Sequence, residues 1–119
     1  MSGLYYFTYL LTDKNKTLVK LKEFEDTLNT AVFTTKSVVK DKKEITYVTH
    51  DADDGAWQFF SSDDFDNYEE VAMILSLDEI INIDITVLEI ADLPLGYFAT
   101  RPTSKDSWTT KKMTNENAL

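Results

Sequence analysis

The clearest strand pattern, in the middle of the chain, most constrains how it can fold. Residues 45–50 read Ile-Thr-Tyr-Val-Thr-His, a run rich in β-branched and aromatic residues that alternates well between apolar and polar, as in a strand with one buried face. Residues 51–55 read Asp-Ala-Asp-Asp-Gly, a polar turn in which Gly55 can adopt positive φ. Trp57–Phe60 then returns as a second strand. These segments together predict a β-hairpin.

Shorter β-type patterns occur along the rest of the chain. Residues 4–11 and 17–24 predict an N-terminal hairpin, and a short helix running to residue 28 is the alternative for the second of them. Residues 31–39 predict a strand with a turn or short helix around Ser37. Residues 71–75 predict a short buried strand, residues 96–101 another strand, and residues 107–110 a weaker final one.

Helix signals appear only in the second half of the chain. Ser76 is followed three residues later by Glu79, the spacing of a capping box. Ile80, Ile81 and Ile83 would form the apolar side of this helix, which we expect to end near Asp84. Residues 85–93 show roughly helical spacing up to Pro94, where a helix must stop. The pattern therefore predicts an α+β fold: a mostly antiparallel β-sheet with one or two short helices in the second half.

Length and composition limit the class of protein. A chain of 119 residues with 43% hydrophobic residues predicts a single domain over residues 1–112, followed by a polar tail over residues 113–119. No cysteine is present, which excludes disulfides, thiolate metal sites and cysteine nucleophiles. The first seven residues lack a basic signal-peptide region, and no apolar run approaches the roughly 18 residues of a membrane span. We expect a cytoplasmic protein.

Charge is unevenly distributed. The net charge is −9, and residues 44–100 contain 14 acidic residues but no lysine or arginine. The rest of the chain carries 7 acidic and all 12 basic residues. An acidic surface repels nucleic acids and anionic membranes, so neither is an expected partner. The acidic block is either a solvated face that aids solubility or a docking surface for a protein with a basic surface.

The best candidate for a docking surface combines acidic and aromatic residues. Phe65 and Tyr68 lie among five carboxylates, a composition suited to contact with lysine and arginine side chains. Trp57 falls in a strong strand pattern and is assigned to the core, whereas Trp108 lies near the polar end of the chain and is predicted to be an exposed contact. The predicted partner-binding residues are Asp51, Asp53, Asp54, Asp63, Asp64, Phe65, Asp66, Tyr68, Glu69 and Trp108.

Patterns for catalysis and metal binding are weak. The acidic turn fails the EF-hand spacing, because glycine stands at its fifth position and serine at its twelfth. His50 is the only histidine; pairing with Asp51 would give a general base, but a structural role is the more common one. Carboxylate pairs such as Asp63 and Asp64 lie in polar segments, where their pKa values would not be pulled apart. We therefore expect no enzyme, no metal site and no cofactor.

Three separated blocks carry a resemblance to a known family. Residues 47–60 read YVTHDADDGAWQFF, residues 76–81 read SLDEII, and residues 90–101 read IADLPLGYFATR. In this order they resemble a bacterial family long labelled as a domain of unknown function and now grouped with the immunity proteins of polymorphic toxin systems (immunity protein 33-like). The resemblance covers about residues 31–110 and leaves out the N-terminal hairpin.

The resemblance implies a small cytoplasmic protein that neutralises a toxin, and it transfers no functional residues. Together with the charge pattern it predicts a protein-binding domain whose partner is a toxin domain with a basic surface. Two alternatives stay open: a regulatory or accessory domain with an unrelated protein partner, and a minor hydrolase that uses His50 in a pocket with buried acids. If residues 4–11 form an exposed edge strand, a homodimer through sheet pairing would follow.

Overall fold

A computed structural model gives the backbone of residues 9–11 and 18–20 and all atoms of residues 22–114. In the first part, β1 (Tyr9–Leu11) pairs antiparallel with β2 (Leu18–Lys20), so the predicted N-terminal hairpin is confirmed over these residues. The alternative helix is wrong for residues 22–28, which contain no helical turn. Residues 4–8 and 115–119, which belong to the predicted first strand and the predicted tail, lie outside the described residues.

The main sheet has six strands, and most of its pairings are antiparallel. In spatial order the strands are β6-β3-β5-β4-β7-β8, and only β3 and β5 run parallel. With its short helices the molecule has the predicted α+β fold. The strands are β3 (Ala31–Thr35), β4 (Tyr47–His50), β5 (Trp57–Phe60), β6 (Ala72–Ser76), β7 (Tyr97–Thr100) and β8 (Thr109–Lys112).

The central hairpin forms as predicted. Val48 pairs with Phe59 in the β4–β5 ladder, and the turn closes with the Asp51 amide donating to the Ala56 carbonyl at 2.8 Å. Gly55 has φ +74°, a left-handed conformation that glycine adopts without steric cost. The polar turn and its glycine therefore set the register of the two central strands.

Among the described residues, three short α-helices and one 3-10 helix accompany the strands. They are α1 (Lys36–Val39), α2 (Tyr68–Val71), α3 (Leu77–Ile83) and the 3-10 helix Ile85–Ile90. The capping box is confirmed: the Glu79 amide donates to Ser76 Oγ at 3.1 Å, and the Ser76 amide donates to Glu79 Oε1 at 2.8 Å. Helix α2 was not predicted; it is a single turn that begins after Asn67, its N-cap.

The core lies on one side of the six-stranded sheet, here called the closed face. Strand alternation points Val48, Phe59 and Ala99 to this side, where each is fully buried. They pack in one cluster with residues of α3 and of the 3-10 helix, among them Leu77 and Val87. The predicted core position of Trp57 is confirmed, because it is 1% exposed within this cluster.

Arg101 links the sheet to the helices on the closed face. Its guanidinium lies 2.8 Å from Asp84 Oδ2, donates to the Thr86 hydroxyl at 2.9 Å, and makes two bonds to the Ile45 carbonyl. The side chain is fully buried, so these acceptors replace the water that the charge loses. This network fastens the end of β7 to the start of the 3-10 helix.

Strand β6 differs from the predicted buried strand. It occupies an edge of the sheet, and the Ile74 side chain is 64% exposed. Leu75 points the other way and packs against the core cluster. The prediction of a buried strand is wrong because an apolar run shows that a segment is hydrophobic, while its place in the sheet decides which residues are covered.

Candidate functional site

The second side of the sheet, here called the open face, carries aromatic rings and no helix of the core cluster. The Tyr47 and Phe60 rings are stacked with centroids 6.1 Å apart, and Tyr47 also contacts Phe98 at 5.8 Å. These residues are brought together because Tyr47 pairs with Phe60 across β4 and β5, while Phe98 pairs with Thr49 beside it. Phe33 of β3 and Ile74 of β6 are paired farther along the same face.

Residues 61–70, here called the acidic segment, are attached to the open face by two aromatic side chains. The centroid of the Phe65 ring lies 6.4 Å from that of Phe60. The Tyr68 ring meets the Phe60 ring edge-on, with centroids 5.7 Å apart. Phe65 and Tyr68 also contact each other at 5.6 Å. Phe65 remains 44% exposed although it takes part in this cluster. The structure therefore brings the predicted residues Phe65 and Tyr68 together on one surface.

The carboxylates of the acidic segment have no basic counterpart in the described part of the chain. Only two ion pairs occur there, Lys22 with Asp92 and Arg101 with Asp84, and neither involves this segment. The predicted residues Asp63, Asp64, Asp66 and Glu69 are all exposed. Their negative charge is thus balanced by no lysine or arginine among residues 22–114.

Asp51 extends the negative charge onto the open face. Gln58 Nε2 donates to Asp51 Oδ2 at 2.7 Å, which holds the carboxylate beside the sheet. Burial raises the pKa of Tyr47 and of Tyr68 above the usual tyrosine value, and the negative charge of Asp51 raises the pKa of each further. Tyr68 also has a hydroxyl oxygen that is buried without a hydrogen-bond partner.

The remaining acids of the turn lie apart from the acidic segment. Asp53 and Asp54 follow the end of β4, whereas the acidic segment follows the end of β5, so the four residues of β5 separate them. A strand of this length spans about 13 Å. Asp53 and Asp54 line a cleft of about 560 Å³ that also contains Lys112, and Asp51 lies at the side of this cleft next to the open face. The structure therefore brings Asp51, but not the whole turn, beside the aromatic residues.

Trp108 does not lie on the open face, and the prediction that it is exposed is wrong. It is half-buried against the core cluster, and the Arg101 guanidinium lies 4.0 Å from the centre of its ring. Its indole nitrogen is buried without a hydrogen-bond partner. Attraction between the cation and the ring draws this tryptophan to the closed face even though its neighbours in sequence are polar.

His50 lies in a cleft of the closed face but lacks the buried acids that a hydrolase was expected to need. Its ring stacks on Trp57 with centroids 3.9 Å apart, and Nδ1 lies 2.7 Å from the Leu93 carbonyl oxygen. That oxygen can only accept, so Nδ1 is the donor in this contact. The cleft measures about 160 Å³ and includes the carboxylates of Glu25, Asp26 and Asp92, of which only Asp26 is half-buried. The geometry gives His50 a structural role.

Several residues of the open face were not predicted as contact residues. All of them were assigned to predicted strands without a side: Tyr47, Phe98, Phe33, Gln58 and Ile74. The two-residue alternation did contain a signal, since Tyr47 and Thr49 point away from the buried Val48. Only the pairing of β4 with β7 shows that Phe98 lies on the same side as Tyr47.

The described residues offer neither a metal site nor a membrane-spanning helix. Over residues 22–114, no three histidine, aspartate or glutamate side chains are grouped so that they could hold a metal ion. Among the helices that the structure describes, none has the length and apolar character needed to cross a membrane.

Comparison with known proteins identifies the family. The family model described as "Immunity protein Imm33 domain" matches residues 32–112. The chain belongs to the Imm33 family. Neither the curated proteins nor the solved structures gave a significant match.

The Imm33 match extends from β3 to the last residue of β8 and so includes both faces of the main sheet. It confirms the resemblance that the three sequence blocks indicated. Membership in the Imm33 family indicates an immunity function, and it implies a protein partner and a non-enzymatic role. The open face and the closed face are therefore both within the matched region.

Proposed function

We propose that this Imm33 protein neutralises a toxin by covering a basic surface of the toxin with its open face and acidic segment. The observation that carries the proposal is the position of the acidic segment. Phe65 and Tyr68 pack on Phe60 and so place the segment against the open face. Its carboxylates remain exposed and without cations in the described part of the chain. Neutralisation would take place in the cytoplasm, where the toxin meets its target.

Charge gives this surface a preferred class of partner. Toxins that act on nucleic acid must bind phosphates and therefore carry lysine and arginine around their active sites. Carboxylates arranged opposite such residues speed encounter and set the orientation of the complex. An immunity protein that occupies the phosphate-binding surface would block the toxin's substrate directly.

Aromatic residues supply the rest of the expected contact. Phe65 is 44% exposed and lies beside the carboxylates, so one partner lysine or arginine could contact a ring face and a carboxylate together. Exposed aromatic residues that become buried on binding commonly carry much of an interface's free energy. The acidic segment therefore combines features for fast encounter and for slow dissociation.

The test is co-expression of the protein with toxin domains encoded beside its gene, scored by cell survival and by co-purification. A quadruple variant, D63N/D64N/D66N/E69Q, removes charge from the acidic segment. The matched control, E23Q/E25Q/D41N/E89Q, removes the same charge from exposed residues outside it. We expect the first variant to associate with the toxin at least about tenfold more slowly at low salt, and the control to behave like the wild type.

The salt dependence separates charge from other causes. The wild-type complex should weaken as salt is raised, and the D63N/D64N/D66N/E69Q variant should lose most of that dependence. Equal loss of rescue in both quadruple variants would show that net charge matters and the acidic segment does not. Failure of the folded wild-type protein to protect against any neighbouring toxin would overturn the immunity proposal and leave a binding domain with an unrelated partner.

A further inference from the structure

Strand β6 is an edge strand without the usual protection. It forms one end of the six-stranded sheet, and no strand of the described residues pairs with its outer side. Natural edge strands are commonly blocked by lysine, by proline or by a bulge. The sequence of β6, Ala-Met-Ile-Leu-Ser, has no charge and no proline. The other edge strand, β8, carries Lys111 and Lys112.

The ladder geometry directs the Ile74 backbone outward. The Leu77 amide donates to the Thr30 carbonyl at 2.9 Å, and the register continues with Leu75 opposite Val32 and Ile74 opposite Phe33. In an antiparallel pair, hydrogen-bonded and non-hydrogen-bonded positions alternate. Leu75 therefore bonds to β3, and the N–H and C=O groups of Ile74 point away from the sheet.

The Ile74 side chain adds an apolar contact beside these free backbone groups. It is 64% exposed and lies on the open face, next to Phe33. The acidic segment leads through α2 directly into β6, so the edge is continuous with the surface proposed to bind the toxin. A strand added here would bury Ile74 and enter the same interface.

We propose that β6 pairs with a strand of the toxin, and that lysine or arginine residues flank this strand. The proposal rests on the proposed immunity function and names the part of the surface that makes backbone contact. Main-chain hydrogen bonds to the Ile74 edge would supply affinity, as in other cases of β-strand addition. The charges at the two ends of the strand would supply selectivity.

Those charges favour a basic strand over a second copy of this chain. Glu69 and Glu70 precede β6, Asp78 and Glu79 follow it, and no lysine or arginine occurs between residues 44 and 100. Antiparallel self-pairing centred on Ile74 would bring Glu69 of one copy towards Glu79 of the other. Like charges across a strand pair are destabilising, whereas a strand flanked by lysine would meet opposite charge at both ends.

The experiment uses the whole protein and a synthetic strand peptide that alternates valine and threonine and carries a lysine pair at each end. Amide hydrogen exchange is measured residue by residue by NMR, with and without the peptide. We expect protection of the Ile74 amide, and no protection from a matched peptide that carries glutamates in place of lysines. Ile74→Pro removes the outward N–H, and we expect it to weaken binding by about tenfold.

Matched variants on the other edge serve as controls. The Met113 amide donates to the Gly96 carbonyl, so alternation along β8 places the Thr110 N–H on the outer side. Thr110→Pro should therefore leave peptide binding unchanged. If Ile74→Pro fails to fold, Ile74→Lys compared with Thr110→Lys makes the same comparison, because a lysine blocks an edge without removing an amide.

Each outcome decides the proposal. Protection of the Ile74 amide in the wild type, with peptide binding that is weakened in the Ile74 variants and unchanged in the Thr110 variants, supports it. Absence of protection, or protection on β8 instead, overturns it. Concentration-dependent protection of Ile74 without peptide would identify a second copy as the occupant and also overturns it. If a neighbouring toxin is neutralised equally by wild type and Ile74→Lys, the edge proposal falls while the immunity function stands.

Discussion

The two faces of the six-stranded sheet are built from alternate residues of the same strands, yet they differ in almost every physical property. On the closed face, Val48 and Phe59 are fully buried under helices. On the open face, their sequence neighbour Tyr47 is half-buried, and Ile74 is mostly exposed. Neighbouring residues thus have different surroundings. One side of each strand packs under the helices, and the other carries part-exposed residues such as Tyr47 and Ile74 beside buried ones such as Phe60.

The closed face and the acidic segment also differ in whether their charged side chains are paired. On the closed face the Arg101 guanidinium is paired with Asp84 at 2.8 Å and surrounded by further acceptors. On the acidic segment the carboxylates find no cation among residues 22–114. On the closed face each charge needs its partner, because an unpaired buried charge is destabilising, whereas exposed carboxylates stay hydrated without a cation. The unbalanced charge is therefore understandable if its counterpart lies on another molecule.

The largest expected effect is on the closed face. Phe59→Ala should lower the free energy of unfolding by about 3–5 kcal/mol, because it removes a fully buried ring and leaves a cavity. Ile74→Ala on the open face should change it by about 0.5 kcal/mol or less. Urea unfolding followed by circular dichroism measures both. Similar losses for the two variants would contradict the division of the sheet into a stabilising face and a contact face.

Loss of the Arg101 hydrogen bonds and ion pair should lower the free energy of unfolding by about 3 kcal/mol. Arg101→Met removes the cation and leaves Asp84, which is 17% exposed, without its partner. The double variant with Asp84→Asn should recover part of the loss, because the remaining buried charge is then gone. Urea unfolding of the two single variants and the double variant gives the coupling energy between Arg101 and Asp84. Additive losses from the two single variants would show that the pair contributes nothing as a pair.

A substitution at Ser76, between β6 and α3, should have an intermediate effect on the stability of the fold. Ser76→Ala removes the hydroxyl that accepts from the Glu79 amide, and loss of such a cap costs about 1 kcal/mol. Ser76→Asp keeps an acceptor and serves as the control. Thermal unfolding measures both variants. A Ser76→Ala protein as stable as the wild type would mean that the capping box does not fix the point where the chain leaves the sheet edge for the closed face.

The smallest effect concerns the pH dependence of the open face. The pKa of Tyr47 is raised above 10.0, first by burial and then by Asp51. A raised pKa means that the neutral form is favoured in the folded state, so this contribution is complete below the unfolded pKa and is lost as pH rises through the folded pKa. Stability should therefore fall above about pH 10.

Tyr47→Phe should reduce this alkaline loss, because phenylalanine has no proton to release. Tyr68→Phe should act in the same direction, since the pKa of Tyr68 is raised by the same two causes. Unfolding curves at neutral pH and above pH 10 separate the effect from any general loss of packing. An unchanged alkaline slope in both variants would show that the open-face tyrosines are as solvated as tyrosines in the unfolded chain.

Local patterns predicted the parts of the fold that depend on residues close together in sequence. The hairpin of β4 and β5 followed from alternation and a turn ending in Gly55, and the capping box followed from Ser76 and Glu79. These features are local because their hydrogen bonds join residues only a few positions apart. The one-turn helix α2 was missed because a single turn is too short to show a period.

Long-range placement was the common cause of the wrong predictions. Trp108 looked exposed in a polar segment, but Arg101 binds its ring against the closed face. Residues 71–75 looked like a buried strand, but β6 lies at an edge. In both cases the deciding partner is brought close by the tertiary fold and cannot be recognised from neighbouring residues.

The sequence by itself determined the α+β class, the central hairpin, the acidic block and the resemblance to the immunity family. It could do so because composition, local hydrogen bonding and charge do not depend on which strands become neighbours. The tertiary structure alone decided that the acidic segment is seated on an aromatic sheet face and that β6 has an unpaired edge. Those features depend on strand order and on which side of the sheet the helices cover, and both are set by the burial of apolar surface over the whole fold.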